Sequence, residues 1–227
     1  MNVSSKITQK LAALVVLTAA VSISADFADG GFVRAEPTKS KSSATLTEAQ
    51  VGKQAPDFTL TDARGKKVSL SQFKGKLVVL EWFNHGCPFV KKHYEGGNMQ
   101  SLQKTYTGQG VVWLSICSSA EGKQGFTTGA EHLKAMEEKG AKPSYILIDA
   151  DGKVGKLYQA KTTPHMFIVG KDGTLDYAGA IDDKETFDAA DVKTAKNYVK
   201  AALDDMLKGK KPAVASTHSY GCSVKYQ

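Results

Sequence analysis

Four apolar runs of strand length constrain this chain most: Leu77-Val78-Val79-Leu80-Glu81-Trp82-Phe83, Val111 to Ile116, Tyr145 to Ile148 and Met166 to Val169. They are continuous rather than alternating, which suits strands covered on both faces. Helix-compatible segments separate them. Pro88 to Tyr106 reads as one helix kinked at Gly96-Gly97, with Asn98 able to cap a restart, and Glu131 to Lys139 follows a capping Thr128. A closing helix sets Val192, Ala195, Val199, Ala202, Leu203 and Met206 on one face. Two strand–helix–strand units, with right-handed crossovers, make an α/β fold with a central mixed sheet flanked by helices. Two hairpin signals complete it. Asp57 to Leu60 and Val68 to Leu70 flank Asp62-Ala63-Arg64-Gly65-Lys66 as an N-terminal extension, and Lys171-Asp172-Gly173 joins the Met166 run to Leu175 to Ala178.

The amino end has another character. Lys6 and Lys10 precede the apolar stretch Leu11 to Val21, too short to span a bilayer comfortably, so residues 1–25 read as a signal peptide, with cleavage after Ala25 or as late as Ala35. Export to the periplasm or the extracellular space follows, with membrane contact only through an uncleaved segment. Residues 36–50 are polar and aperiodic, a flexible linker. Residues 51–209 form one domain, and 210–227 a tail carrying Cys222.

Within the domain, Cys87 stands where the first apolar run breaks at Asn84-His85-Gly86 and Pro88 opens a helix. Proline suits the first helical position, so Cys87 is the expected N-cap. Free amide donors and the helix dipole favour a thiolate there. Lys91, Lys92, His85 and His93 add positive charge nearby, and the Gly-Cys-Pro context puts the thiol at a loop edge, open to attack.

The chain has three cysteines, Cys87, Cys117 and Cys222, too few for a stapled scaffold. An odd number in an oxidising compartment points to redox work. The net charge of +7 is spread along the sequence, and Arg34 and Arg64 are the sole arginines, which excludes a nucleic-acid interface. No phosphate loop or calcium loop is complete, and no cofactor is implied.

In the order of its elements the chain resembles the thioredoxin fold. Gly52-Lys53-Gln54-Ala55-Pro56-Asp57-Phe58, Leu70-Ser71-Gln72-Phe73-Lys74-Gly75-Lys76 and the strand into Cys87 resemble the redoxins of the alkyl hydroperoxide reductase and thiol-specific antioxidant family. Asn84 to Phe89 and Tyr220 to Tyr226 are similar to its peroxiredoxin-like subgroup. The resemblance implies a cis proline at Pro164, behind Thr163, and a groove for extended substrate shaped by Thr163, Pro164 and His165, with His165 directed toward Cys87. Asn84, His85 and Pro88 complete that groove. It also implies that Glu81 is the family's buried acid, able to move protons at sulfur, against the alternative of a carboxylate facing an edge and paired with a lysine.

Departures from the family bear on the reaction. Val90 stands where dithiol thioredoxins carry a second cysteine, and Asn84 and Leu80 stand where peroxidatic sites carry threonine and proline. No arginine follows Arg64 to polarise a peroxide. Resolution of an oxidised Cys87 therefore falls to Cys222 on its mobile tail, to Cys117 at a strand end, or to an external thiol. The resulting expectation is an exported antioxidant oxidoreductase in which Cys87 attacks a disulfide or peroxide, with a thiol protein or small-molecule reductant as electron donor. The alternative is a redox-silent binding module or a Cu(I) site built from Cys87, His85 and His165.

Overall fold

A computed structural model describes residues 47–227. The expected signal peptide and most of the linker lie outside the described residues. The elements in order are β1 (Thr59–Asp62), β2 (Lys67–Ser69), β3 (Val78–Trp82), α1 (Pro88–Glu95), α2 (Asn98–Thr107), β4 (Val112–Cys117), α3 (Gly129–Glu138), β5 (Tyr145–Ile148), α4 (Lys153–Leu157), β6 (Thr162–Thr163), β7 (His165–Val169), β8 (Leu175–Gly179), α5 (Tyr198–Leu207) and β9 (Cys222–Ser223). Seven strands form one sheet in the order β2-β1-β5-β4-β3-β7-β8. The central strands β3, β4 and β5 are parallel, while β1, β7 and β8 join antiparallel. This is the thioredoxin-like mixed sheet expected, with the hairpin of β1 and β2 as its N-terminal edge.

The apolar runs are continuous because both faces are covered. Val79 and Phe83 join Trp113, Met166, Ile168 and Tyr177 in a core under α1, α2 and α5, while Val78, Leu80 and Trp82 face a second core with Leu114, Leu147, Phe167 and Tyr158. Every residue of β3 is buried. Strand alternation therefore assigns Glu81 to the Val79 face.

Several helix boundaries differ from expectation. The break at Gly96-Gly97 gives two helices, and Gly97, in the left-handed region at φ 71°, is the residue that precedes α2. Asn98 is no cap: its side chain instead meets His93 Nδ1 at 3.0 Å and Asn197 at 3.0 Å. Thr128 and Glu131 do form the reciprocal capping box of α3. The closing helix begins only at Tyr198, capped by Asn197, and Val192 belongs to a separate 3-10 turn, Ala189–Lys193. α4 and the two-residue strands β6 and β9 carry no hydrophobic period and were not expected. No helix among the described residues is long and apolar enough to cross a membrane.

The linker and tail both end against the domain. Ala49 is buried, and its N–H donates to the Leu157 carbonyl at 2.9 Å. Along the tail, Ser216 bridges Ala178, Val224 N–H donates to Lys161 at 3.0 Å, and Ala120 N–H donates to Lys225 at 2.8 Å.

Candidate functional site

Cys87 is the N-cap of α1, with Pro88 opening the helix. Asn84 builds the approach to it. Its Oδ1 accepts the Gly86 N–H at 2.8 Å, its Nδ2 donates to the Gln124 carbonyl at 2.9 Å, and the Asn84 carbonyl accepts the Cys87 N–H at 3.0 Å. These bonds tie the Asn84-His85-Gly86 turn to the loop after β4.

On the other side of the thiol, the Thr163–Pro164 peptide is cis. β6 runs antiparallel to β9, with Thr163 opposite Cys222 and Thr162 opposite Ser223. This pairing brings the Cys222 sulfur to 2.7 Å from that of Cys87. The Cys87 thiol also lies 3.0 Å from the Thr163 carbonyl. Gly221, at φ 131°, lies against the Thr163 carbonyl where any Cβ would collide, so the tail reaches this edge only through glycine. All three cysteines are thiols in this structure.

Cys87 is fully buried, which corrects the expectation of an open loop-edge thiol. It belongs to the core under α1, and the tail lies directly against it, a contact between residues 135 apart that local patterning does not encode. The source of its acidity also differs from expectation. Burial opposes ionisation, yet donors from the Cys222 thiol, the Thr163 side chain and the Val90 N–H outweigh it and lower the pKa of Cys87. The neighbouring cations have other roles: Lys92 is turned into the core toward Asp182, and burial holds His85 and His93 neutral, each pushed down to about 3. Cys222 moves oppositely, raised by burial and by Cys87 to about 11.

Thr163 has a buried hydroxyl with no hydrogen-bond partner among the described residues. With no other partner to serve, it is left to act on the neighbouring Cys87 sulfur. The two neighbouring thiols are thus unequal, the pKa of Cys87 lowered and that of Cys222 raised.

Two histidines are placed elsewhere than expected. His85 Nε2 meets His132 Nδ1 at 3.1 Å, and His85 packs edge-on to Phe83. His165 pairs across the sheet with Trp82 and stacks on Phe167 at 4.4 Å, on the face opposite the core that holds Cys87. Its Nδ1 accepts the Lys161 N–H at 3.3 Å, and burial pushes its pKa to about 3. His165 thus does not point at Cys87, and Cys87, His85 and His165 do not assemble a ligand set. Among the described residues no group of three His, Cys, Asp or Glu side chains is arranged to hold a metal. An open cavity of about 640 Å³ lies between His165, Phe89 and the tail from Ser216 to Gly221.

Glu81 is fully buried, and none of its hydrogen-bond partners among the described residues is a lysine. Oε1 accepts Tyr94 Oη at 2.8 Å, and Oε2 accepts Trp113 Nε1 at 2.7 Å, Ser115 Oγ at 2.7 Å and Gln103 Nε2 at 3.3 Å. Burial raises its pKa, and these four donors act against that rise. Its partners come from α1, α2 and β4, and none is a sulfur. Cys117 lies 3.5 Å from the Gly125 carbonyl, and burial raises its pKa.

Sequence reasoning missed the residues that seat the tail: Tyr220, Asp182 and the buried Lys92. The single hint was an aromatic two positions before Cys222.

Comparison with known proteins agrees with this fold. The thiol-disulfide oxidoreductase ResA of Bacillus thuringiensis subsp. konkukian is 30% identical over 126 residues, 56% of this chain and 67% of the relative. The thioredoxin-like protein YneN of Bacillus subtilis is 29% identical over 138 residues, 60% of this chain and 76% of its own. Among solved structures, a hypothetical protein of Sinorhizobium meliloti superposes with a TM-score of 0.67 at 27% identity, covering 80% of this chain and 97% of that one. An uncharacterized conserved protein of Geobacillus kaustophilus gives 0.67 at 29% identity, covering 78% and 93%. The AhpC/TSA family model matches residues 51–178, more than half of the sequence, and the chain belongs to that family.

Proposed function

We propose that this protein is an exported thiol-disulfide oxidoreductase in which Cys87 is the attacking sulfur and Cys222 the resolving one. One observation carries the reading: the two sulfurs lie 2.7 Å apart although 135 residues separate them. In the first step the Cys87 thiolate attacks a substrate disulfide R–S–S–R′. The Cys87–S–R bond forms as S–S breaks, and R′S⁻ leaves and takes a proton from solvent. Cys222, losing its proton, then attacks the Cys87 sulfur. A Cys87–Cys222 disulfide forms, RS⁻ leaves, and the substrate has gained two electrons. An external dithiol returns both cysteines to thiols.

The pairing of Cys222 with Thr163 supports an extended polypeptide as substrate. The edge of β6 that receives Cys222-Ser223 offers the same backbone donor and acceptor to any incoming strand, with Cys87 beside it. Substrate and tail therefore compete for one edge, and the described state corresponds to the resolving arrangement. Relatives bearing the name thiol-disulfide oxidoreductase favour the same chemistry. A dedicated peroxidase is the weaker reading, because Asn84 holds the turn where that chemistry places a threonine, and Arg64 sits in the hairpin after β1, bonded to Asp62. Export rests on residues 1–25, with a linker to residue 50, a domain at 51–209 and a tail at 210–227.

The test is dithiothreitol-driven reduction of a protein disulfide. The wild type accelerates it and Cys87→Ser does not. Equal rates for the two proteins contradict the proposal.

A further inference from the structure

The ladder between β6 and β9 has two rungs, Thr162 to Ser223 and Thr163 to Cys222. Side chains along a strand alternate between faces, so a slip of one residue would turn Cys222 away from Cys87. So short a ladder specifies register weakly. Two positions before Cys222, Tyr220 enters the core edge-on to Phe89 and is 6% exposed. Its hydroxyl donates to Asp182 Oδ1 and lies 3.4 Å from His93 Nε2. Asp182 is 1% exposed. Its Oδ1 also accepts the Lys184 N–H at 3.0 Å and lies 3.7 Å from Lys92 Nζ. Lys92 is wholly buried, donates to the Lys184 carbonyl at 2.5 Å, and stands 5.6 Å from the centroid of the Tyr220 ring. Asp182 Oδ2 has no hydrogen-bond partner among the described residues.

A buried ion pair with an oxygen left unpaired is poor stabilisation, since desolvating both charges offsets their attraction. Where such pairs are kept, fixing register is their best-attested use. An apolar socket would hold the tyrosine ring in several settings, whereas a fixed carboxylate accepts its hydroxyl in one. Resting on the resolving role of Cys222 given above, we propose that the buried Asp182–Lys92 pair is a register lock: by capturing the Tyr220 hydroxyl it sets the tail so that the Cys222 sulfur meets that of Cys87. Tyr220 is thus a positioning residue, acting through the placement of the Cys222 sulfur. Thr217, bonded to Tyr177 and Ala180, and Val224, bonded to Lys161, keep the tail attached when the lock is removed.

The test uses the full chain in a Cys117→Ala background, reduced and mixed with dithiobis-nitrobenzoate. Cys87 attacks first: a Cys87–aryl mixed disulfide forms and one thionitrobenzoate leaves. Cys222 then attacks the Cys87 sulfur, the Cys87–Cys222 disulfide forms, and a second thionitrobenzoate leaves. The two releases are read as separate phases. Tyr220→Phe, which removes one oxygen, slows the second phase about tenfold or more, the weight of one hydrogen bond to a charged group, and, at a pH where Cys87 is fully ionised in both proteins, does not slow the first. Asp182→Asn gives the same split, and the double variant is no slower than the slower single one. A second phase in folded Tyr220→Phe as fast as that of the parent overturns the lock alone. A parent protein that releases one equivalent and stops overturns the resolving role, and the lock with it. Should Asp182→Asn fail to fold, Tyr220→Phe decides.

Discussion

Cys222 sits directly across the β6–β9 ladder from Thr163, so the residue beside the cis proline holds by its backbone the same segment whose sulfur touches Cys87. Removing the Cys222 sulfur should therefore stop exchange halfway. Cys222→Ser, treated with a disulfide-containing peptide, is expected to accumulate the Cys87 mixed disulfide. Intact-mass measurement detects it as a peptide adduct lost on adding thiol. No adduct in Cys222→Ser, with an adduct in the wild type, would contradict the assignment.

The acidity of Cys87 depends on its neighbour. Burial raises the pKa, and the Cys222 thiol is the foremost of the donors that bring it down. In the reduced wild type, alkylation of Cys87 should rise with pH through a midpoint below the ordinary thiol value of about 8.5. In Cys222→Ala that midpoint should move up, because the burial remains and the donor goes. A downward shift refutes this source of acidity.

Acid should destabilise the fold through its histidines. Burial keeps His85, His93 and His165 neutral, each with its pKa pushed to about 3. A depressed pKa contributes stability that is complete above the unfolded value near 6.5 and is lost as pH falls from there toward 3. Each such histidine removes about 1.4 kcal/mol per pH unit well below its unfolded pKa. Urea unfolding from neutral pH to mild acid should show this fall, with a shallower slope in His165→Asn. Stability that rises on acidification would be incompatible with neutral buried rings.

Glu81 gathers four donors at the centre of the core under α1 and α2. Glu81→Gln turns an acceptor into a donor among donors, and it should lower unfolding free energy by about 1–3 kcal/mol, the cost of leaving a buried polar group unsatisfied. The measurement is the shift of the urea midpoint at constant slope. A variant as stable as the wild type would mean that the network is dispensable.

The strands, the thiol at the head of α1 and the paired hairpins were legible because they are local: unbroken apolar runs, a proline after a cysteine, a glycine turn. Glu81 was legible as a position but not as a face, since alternation alone does not say which side is buried. What stayed hidden depends on distant contacts. The tail against Cys87, the inward turn of Lys92 and the pairing of His85 with His132 join residues far apart in sequence, and polar residues on a helix read as surface until their partners are known. His165 was misread because the family groove suggested a direction that strand parity forbids: it shares its face with Phe167, not with Met166.

Disulfide mapping of the oxidised protein tests the account most directly. Mild oxidation, alkylation of remaining thiols and non-reducing digestion should yield a peptide holding Cys87 joined to one holding Cys222, with Cys117 alkylated. Recovery of Cys222 as an alkylated thiol while Cys87 is joined to Cys117, or left free, would contradict it.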